Sequence, residues 1–349
     1  MGKKVLVTGA TGRIGSIIVK KLIERGFEVR AFALPGDPFI SRYSDTNCET
    51  YYGNLTEEND VKEALKGCQF VVHMAALMAK PAEMDDTTYM EINVKSTWNI
   101  TRCAMKAGIK RLVYGSSDAY YPVGTEHSYP ILETAVSTPR CGCNYLYSLT
   151  KRINEEIVWE AYRESGYQFE VSVVRFGTVM QQDEILSIFR AKSVKNFLNN
   201  NARNPSNNTY RADVKDPAAK VRDFPDDMML IPYGPDGRSW RIHLTHATDA
   251  AEGVILALIT PEASGEAFNI LSRTSTVREQ AVKYIAEKTG YEYREVHLDT
   301  FWEFECSIEK AERILGYNPA FDTIKMIDDA IEWRKKGYHT VHKLNSTEF

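Results

Sequence analysis

A glycine-rich loop near the start of the chain most constrains what it can fold into. The loop, Thr8-Gly9-Ala10-Thr11-Gly12-Arg13-Ile14-Gly15, follows a short apolar strand predicted over Lys4–Thr8 and precedes a helix predicted over Ile14–Arg25. Glycines at such a turn let the backbone approach a pyrophosphate, which the first amides of the helix then bind. A glycine triplet alone is weak evidence, but the strand–turn–helix setting predicts a dinucleotide site rather than an ordinary turn. The residues expected to contact the dinucleotide are Gly9, Thr11, Gly12, Arg13, Ile14 and Gly15.

Strands and helices alternate along most of the remaining chain. Further strands are predicted at Phe27–Leu34, Phe70–His73, Arg111–Gly115, Glu170–Arg175 and Phe268–Leu271. Helices are predicted at Glu57–Leu65, Tyr89–Ala107, Tyr145–Ser165, Asp183–Phe197, Asp249–Ile259, Val277–Thr289 and Ile308–Leu315. This order predicts an α/β fold with a doubly wound parallel sheet, whose ligands bind at the carboxyl ends of the strands.

The pattern divides the chain into a large lobe and a smaller one. We expect a dinucleotide-binding domain over residues 1–178 together with about 245–272, and a smaller C-terminal lobe over 179–244 and 273–349. A polar, Asn-rich stretch at 199–222 has no clear periodicity and predicts a long surface insertion. It is either a lid or a loop without function.

Composition narrows the possible partners. Lys and Arg number 43 against 47 Asp and Glu, for a net charge of −4, which argues against nucleic-acid binding. No apolar run is long enough to span a membrane and the first residues do not read as a signal peptide, so a cytoplasmic protein is expected. The six cysteines do not suggest a disulfide framework, and Cys141 and Cys143 lack a second pair at zinc spacing, so no metal site is expected.

The type of dinucleotide is less constrained. NAD sites usually have an acidic residue at the end of the second strand, which binds the ribose hydroxyls. Here that strand ends in Ala33-Leu34, and Asp37 follows only beyond a Pro-Gly turn. Arg13 and Arg30 are candidates for holding the 2′-phosphate of NADP, or are simply solvated. NAD is slightly favoured and NADP stays open.

A second motif is Tyr147-Ser148-Leu149-Thr150-Lys151, in a predicted helix. Residues four apart share a helix face, so Tyr147 and Lys151 should stand side by side. A neighbouring ammonium favours the phenolate and is expected to lower the pKa of the tyrosine, which makes it a proton acceptor for a hydroxyl being oxidised. An exposed helix face is the ordinary alternative, but the glycine loop adds weight to the catalytic interpretation.

With these motifs in place, the sequence resembles the extended short-chain dehydrogenases/reductases of the NAD-dependent epimerase/dehydratase group, including UDP-glucose 4-epimerase-like enzymes. The matching segments, in order, are the glycine loop, Gly53-Asn54-Leu55, His73–Ala76, Asn93–Thr97, Val113–Ser117, the Tyr147/Lys151 pair, Arg175-Phe176 and Ser307–Pro319. The resemblance implies a Rossmann-type sheet, a C-terminal substrate-binding lobe and a nicotinamide cofactor.

The resemblance also implies roles for matching residues. Tyr147 would be the general acid/base, Lys151 would hold the nicotinamide ribose, and Ser117 would hydrogen-bond the reacting oxygen, with adjacent Ser116 as its rival. Further cofactor contacts are implied for Asn54, Leu55, Ala75, Ala76, Asn93, Ser116 and Phe176.

The substrate is expected to be a small molecule, a sugar or a nucleotide sugar. Asp118 follows Ser117 where dehydratases of the group resemble this chain with an Asp-Glu pair, but the next residue here is Ala119, which disfavours dehydration. Arg241 resembles an arginine that clamps a sugar diphosphate, although its spacing to Asp249 is one residue off. Thr178 and Met78 stand where relatives have other substrate-contacting residues. His243 and His246 are interpreted as structural.

Three functions remain. The first is a redox-neutral epimerase, acting on a nucleotide sugar with tightly held NAD; the second is a net NAD(P)-dependent dehydrogenase or reductase of a sugar, sugar acid or other secondary alcohol. The third, a non-catalytic regulator, is disfavoured by the intact Ser117, Tyr147 and Lys151 set. The resemblance implies a homodimer through the two long helices. Trp98, Ile100, Ile153 and Ile157 could form its face, or could pack on the sheet.

Overall fold

The computed structural model describes residues 3–121, 130–136, 145–182, 184–202 and 218–336. Within these ranges the strands are β1 (Lys4–Thr8), β2 (Glu28–Ala33), β3 (Glu49–Tyr52), β4 (Phe70–His73), β5 (Arg111–Ser117), β6 (Glu170–Phe176), β7 (Thr178–Met180), β8 (Met229–Tyr233), β9 (Arg241–Ile242), β10 (Leu244–His246), β11 (Glu266–Ile270), β12 (Thr276–Val277) and β13 (Tyr293–His297). The α-helices there are α1 (Arg13–Glu24), α2 (Glu58–Leu65), α3 (Asp86–Met90), α4 (Ser96–Lys106), α5 (Tyr145–Glu164), α6 (Ala191–Ala202), α7 (Ala247–Ile259), α8 (Arg278–Thr289), α9 (Glu309–Leu315) and α10 (Thr323–Lys335).

The main sheet has seven strands in the order β11-β6-β5-β4-β1-β2-β3, and all neighbouring pairs are parallel. The chain winds outward from β1 to β3 and then crosses back to β4. The strand order therefore reverses between β1 and β4, and such a switch point opens a crevice at the carboxyl ends of the strands. The predicted α/β fold with a Rossmann-type sheet is confirmed.

Helices cover both faces of this sheet. Side chains alternate across a strand, so Val5 and Val7 pack in one core, which Ile18 of α1 and Val254 of α7 also join. Leu6 points to the opposite core, which α2, α4 and α5 cover. Because both faces are buried, the strands read as continuous apolar runs rather than as alternating patterns.

The later segments build a smaller lobe with its own apolar cores. Three strand pairs contribute to it: β8 with β13 and β7 with β10, both parallel, and β9 with β12, which is antiparallel. Asp249 of α7 fastens this part of the chain, since its carboxylate accepts hydrogen bonds from the amides of Ala320 and Phe321, each at 3.0 Å. β11 joins the main sheet beside β6, but the domain limits given above stay a prediction.

Several element predictions need correction. The helix expected over Asp183–Phe197 is confirmed only from Ala191 onward: the described residues before Arg190 form turns, Arg190 forms a β-bridge with Met229, and the helix continues to Ala202. The long helix predicted from Tyr89 begins earlier, at Asp86, and contains a π-helical turn over Glu91–Lys95. The proposed insertion at 199–222 falls mostly outside the described residues, as do Cys141 and Cys143.

Of the two alternatives given for Ile100, a dimer face or packing on the sheet, the structure shows the second. Ile100 is fully buried in the core beneath α4 because it packs on the sheet, whereas Trp98 is 52% exposed and Ile153 and Ile157 are half-buried.

In the part of the chain that the structure describes, helices long and apolar enough to cross a bilayer are absent. The same residues contain no group of three His, Cys, Asp or Glu side chains placed to hold a metal ion.

Candidate active site

The glycine loop joins β1 to α1 through very close backbone contacts. Gly9 has a φ of +65°, and a Cβ atom there would lie 2.8 Å from the amide nitrogen of Ala75. A Cβ atom on Gly15 would lie 2.0 Å from the carbonyl oxygen of Gly9. Gly12 caps α1 without a side-chain hydrogen bond, and the first turn of the helix carries no acidic residue. No acidic side chain of the first turn therefore competes for its first amides, which fits the binding of a pyrophosphate.

The two arginines considered for a 2′-phosphate are used elsewhere. Arg30 is buried beneath the sheet edge, where it donates to the carbonyls of Ala64 and Lys66 and pairs with Glu49 at 2.8 Å. Its assignment to a 2′-phosphate is therefore wrong. Arg13 points toward the smaller lobe, where it pairs with Glu184.

Arg13 nevertheless stays beside the phosphate loop. It donates to the carbonyl oxygen of Val179 at 3.1 Å, while its Nε is buried without a protein partner. A buried N–H without an acceptor is costly, and this one begins α1. Its orphaned donor agrees with an anion at the start of the helix.

Other residues predicted to contact the cofactor shape the neighbouring strand ends. The Asn54 side chain accepts from the amide of Thr56 at 3.0 Å and so forms the turn after β3. Asn93 clamps the segment after β4, because its side-chain amide bonds both the N–H and the C=O of Leu77, at 2.8 and 3.0 Å. Ala75 donates from its amide to Thr8 at 3.3 Å. Contacts of these residues with a cofactor stay predictions.

Ser117, Tyr147 and Lys151 come together at the carboxyl end of β5. Ser117 is the last residue of that strand. Its hydroxyl donates to Asp118 at 3.0 Å and lies close enough to Tyr147 to affect the pKa of that phenol. Lys151 lies one turn after Tyr147 on α5, with its Nζ 5.5 Å from the centre of the tyrosine ring. That Nζ donates to the carbonyl oxygen of Gly115 at 2.7 Å, which fixes the ammonium against β5. The spacing argument for one helix face is thus confirmed.

The electrostatics of this group differ from the expectation. Burial raises the pKa of Tyr147 well above its usual value, and the nearby Asp118 adds to the rise, while the hydrogen bond with Ser117 opposes it. Burial also lowers the pKa of the Lys151 ammonium, to about 8. The predicted lowering of the tyrosine pKa is wrong, because burial raises it instead. Tyr147 is a protonated phenol at neutral pH.

A buried ion pair behind these residues was not foreseen. Arg175 of β6 holds Glu155 of α5 with two hydrogen bonds, at 3.0 and 2.6 Å, and also donates to Tyr121 at 2.9 Å. Ser116 donates its hydroxyl to the same carboxylate at 2.5 Å. Ser116 is therefore committed to Glu155, and Ser117 is the serine beside Tyr147. The sequence signal that could have identified Glu155 was its spacing: it follows Lys151 by four residues and so lies on the same helix face.

The candidate substrate residues lie along β7, β9 and the segment after β4. Thr178 donates from its amide to the carbonyl oxygen of His243 at 3.2 Å, and Met78 is 45% exposed. Arg241 is 39% exposed, and its guanidinium pairs with Glu305 at 3.1 Å and approaches Glu303 at 4.0 Å. The predicted diphosphate clamp is therefore already opposed by two carboxylates.

Both histidines of this region have structural surroundings. His243 is buried and accepts from the amide of Cys306 at 3.1 Å, so its other nitrogen donates to the carbonyl oxygen of Ser272 at 2.8 Å. His246 stacks on Phe321, with ring centres 3.8 Å apart. Burial lowers the pKa of each to about 4, so both are neutral at physiological pH.

Comparisons with known proteins agree with this arrangement. Residues 5–270 match the sequence pattern of the NAD dependent epimerase/dehydratase family. A dihydroflavonol 4-reductase from Callistephus chinensis is 31% identical over 185 residues, which are 49% of this chain and 50% of that protein. A 3-beta-hydroxysteroid dehydrogenase from Mycolicibacterium neoaurum is 32% identical over 47% of this chain and 44% of its own length. The matches thus span about half the length of these curated relatives.

Solved structures match over a longer range. A short-chain dehydrogenase/reductase superfamily protein from Agrobacterium tumefaciens, with bound NAD, superposes with a TM-score of 0.79 at 26% identity, covering 96% of this chain and 98% of that one. A UDP-glucose 4-epimerase from Thermotoga maritima, with UDP-glucose, gives a TM-score of 0.70 at 20% identity over 96% and 99% of the two chains. The chain, with its glycine loop at the switch point and its Ser117, Tyr147 and Lys151 group, belongs to the NAD-dependent epimerase/dehydratase family of extended short-chain dehydrogenases/reductases.

Proposed function

We propose that this protein transfers a hydride between a nicotinamide dinucleotide and a secondary carbinol or its ketone. The observation that carries the proposal is the contact of Ser117 with Tyr147 at the end of β5, with Lys151 held beside them by Gly115. This end of the sheet is also where the glycine loop meets the switch point. The hydride could then be transferred at the carbon of one carbon–oxygen bond while Tyr147 exchanges the proton at its oxygen.

Tyr147 carries the proton that the reductive direction requires. A phenol with a raised pKa keeps its proton at neutral pH, so Tyr147 can donate it to a carbonyl oxygen that is gaining a hydride on its carbon. Ser117 would hydrogen-bond the same oxygen, and the Lys151 ammonium would stabilise the phenolate that Tyr147 leaves behind. When bound, the dinucleotide supplies the hydride or accepts it in the reverse reaction.

Net dehydrogenase or reductase activity is the outcome we favour. Arg241 is opposed by Glu305 and Glu303, which leaves little positive charge for a diphosphate. The relatives at or above 30% identity include proteins named as a reductase and a dehydrogenase. A substrate without a diphosphate, such as a sugar, a sugar acid or another secondary alcohol, fits these charges best.

Nucleotide-sugar epimerisation is the second candidate. The exposed part of the Arg241 guanidinium could still reach a ligand, and Met78, Asp118 and Thr178 would then contact the sugar. In that reaction the cofactor would be NAD, retained through the whole cycle.

We also propose homodimerisation through Trp98, Ile153 and Ile157, which a measurement of the molar mass in solution checks. The cytoplasmic location stays a prediction, as does the exclusion of nucleic-acid and membrane partners.

The experiment that separates these candidates is to identify the nucleotide that the freshly purified protein carries. The protein is denatured, and the released nucleotide is named and counted by mass spectrometry, while a titration measures the binding of added NAD and NADP. We expect substoichiometric release with clear binding in the titration, as for a cofactor that exchanges each turnover. Release of close to one NAD per chain would instead support the epimerase. A protein that neither carries nor binds a dinucleotide would overturn the proposed function.

A further inference from the structure

We propose that Arg278 forms an anion-binding site in the smaller lobe, separate from the glycine loop and from Arg241, which takes a small oxyanion such as a phosphate or a carboxylate group. This site goes beyond the proposed hydride transfer and does not depend on it. Arg278 begins α8 and is 4% exposed. Its Nη1 atom is buried and has no hydrogen-bond partner among the described residues. A charged donor is thus held away from water with no acceptor.

The other buried arginines of the described chain each have an acidic partner. Three of them are less than about a tenth exposed, as Arg278 is. Their N–O distances to a carboxylate are 2.8 Å or less, in the pairs Arg30 with Glu49, Arg111 with Glu170 and Arg175 with Glu155. The described residues supply no such carboxylate to Arg278. Burial of a cation without a counter-charge is strongly unfavourable, so an anion from outside these residues would stabilise it.

The acidity of the guanidinium shows the same imbalance. Burial lowers the pKa of Arg278 from 12.5 to about 10, and no described carboxylate raises it. Burial lowers the pKa of Arg175 too, but there the adjacent Glu155 carboxylate more than offsets the effect. An oxyanion beside Arg278 would supply the charge that Glu155 supplies to Arg175.

The position of Arg278 on its helix adds to the imbalance. The amino end of a helix carries a partial positive charge, which disfavours a cation and favours an anion. The amide of Arg278 donates to the carbonyl oxygen of Trp240 at 3.0 Å, so the start of α8 is fixed. Glu279, the acid of the first turn, pairs with Lys283 at 2.6 Å and does not neutralise the guanidinium. Two positive features therefore coincide at one buried point.

The remaining surroundings of the guanidinium are apolar. Its Cζ lies 5.9 Å from the centre of the fully buried Phe189 ring, in the core that Ala281 and Val282 of α8 also join. An aromatic face attracts a cation less than a hydrogen-bonded carboxylate does. A planar guanidinium in such surroundings has the donors for bidentate binding of a phosphate or carboxylate.

Arg241 lies close by in the chain pairing but differs in its charge. Val277, which precedes Arg278, pairs with Arg241 across β12 and β9. The Arg241 guanidinium already pairs with Glu305 at 3.1 Å and approaches Glu303 at 4.0 Å. An anion therefore finds the positive charge opposed at Arg241 and unopposed at Arg278.

The test is thermal unfolding of the full chain in saturating NAD, which occupies the glycine loop, with phosphate or acetate replacing chloride at constant ionic strength. At about ten times its dissociation constant, the bound anion should raise the unfolding temperature of the wild type by about 2 °C. The anion with the larger effect identifies the oxyanion class that the site prefers. Arg278→Met keeps a long side chain without the charge and should abolish the shift. In chloride alone this variant should be at least as stable as the wild type, because it buries no uncompensated charge.

Arg294→Met is the matched control, since Arg294 is 55% exposed on β13 and lies 3.7 Å from Glu292. It should respond to phosphate as the wild type does. Equilibrium dialysis of the wild type with labelled phosphate or acetate, in the presence of NAD, is a second measurement that needs no variant. It should show close to one bound anion per chain.

The inference is overturned if the wild type neither binds nor responds to either anion, or if Arg278→Met responds as the wild type does. A large loss of stability of Arg278→Met in chloride alone would also overturn it, since the arginine would then be structural. Failure of the protein to bind NAD would overturn the proposed function instead. The comparison of wild type with Arg278→Met needs no cofactor and would still decide the anion site.

Discussion

Asp118 follows Ser117 at the end of β5, and its surroundings change its acidity. Burial raises the pKa of its carboxyl group from 3.8 to about 6, although the hydrogen bonds with Ser117 and the amide of Ala119 oppose the rise. Between these two values the folded protein binds the proton and the unfolded chain does not. The free energy of unfolding therefore decreases as the pH rises through this window.

The corresponding variant is Asp118→Asn, which can still accept from Ser117 but does not titrate. The difference in the free energy of unfolding between this variant and the wild type should grow by about 2 kcal/mol from about pH 4 to pH 7, in favour of the variant. The reason is that only the wild type must bury a charge at the higher pH. Urea unfolding at the two pH values measures the difference. A gain of the same size at both pH values would mean that ionisation of Asp118 is not its source.

Residue-scale prediction succeeded where one local motif carried the information. The position of Ser117 at a strand end and the shared helix face of Tyr147 and Lys151 were predicted in this way and are seen in the structure, while their roles stay a prediction. The hydrogen bond from Thr11 to Asp37 and the ion pair of Arg175 with Glu155 were not predicted, because each joins segments that are distant along the chain. The direction of the Tyr147 pKa also failed, since the degree of burial cannot be derived from spacing alone.

At the scale of elements, the Glu155–Arg175 pair links α5 to β6, and Ser116 adds β5. The elements that carry Tyr147 and Ser117 are therefore linked by this pair, next to the group that we propose to be catalytic. Removing one member of a buried ion pair leaves an uncompensated charge, which commonly costs about 3–5 kcal/mol.

Glu155→Gln should therefore lower the free energy of unfolding by about 3–5 kcal/mol in urea titrations. Glu156→Gln is the matched control on the next position of α5, where the side chain is 72% exposed, and should change stability by less than about 0.5 kcal/mol. A double replacement, Glu155→Leu with Arg175→Met, should recover most of the loss. Equal effects of Glu155→Gln and Glu156→Gln would show that the pair does not support the helix.

Element prediction was good in the main sheet and poor in the smaller lobe. The parallel strands are buried on both faces, so continuous apolar runs such as Val5-Leu6-Val7 identified them. β3 was missed because Glu49-Thr50-Tyr51-Tyr52 is an edge strand with exposed positions. The pairing of β8 with β13 joins short segments far apart in sequence, and neither carries a register signal of its own.

At the scale of the whole molecule, the two lobes have different tasks. The parallel sheet holds the dinucleotide loop and the Ser117, Tyr147 and Lys151 group at one edge. The smaller lobe contacts this edge through Glu184, which pairs with Arg13 at the start of α1. The motifs that identify the family lie in the larger lobe, whereas the residues proposed to contact the substrate include Arg241 in the smaller lobe, where the sequence signals are weaker.

The most direct test of hydride transfer at this edge is a comparison of wild type with Tyr147→Phe. Both are incubated with NAD or NADP and a panel of nucleotide sugars, sugar acids and other secondary alcohols and ketones, and products are followed by mass spectrometry and nicotinamide absorbance. The wild type should convert at least one member. The turnover rate of Tyr147→Phe on this compound should be lower by at least about 100-fold, because the proton donor is lost. Its affinity for the cofactor should be unchanged. A variant that turns over the same compound at the wild-type rate would contradict the assigned role of Tyr147.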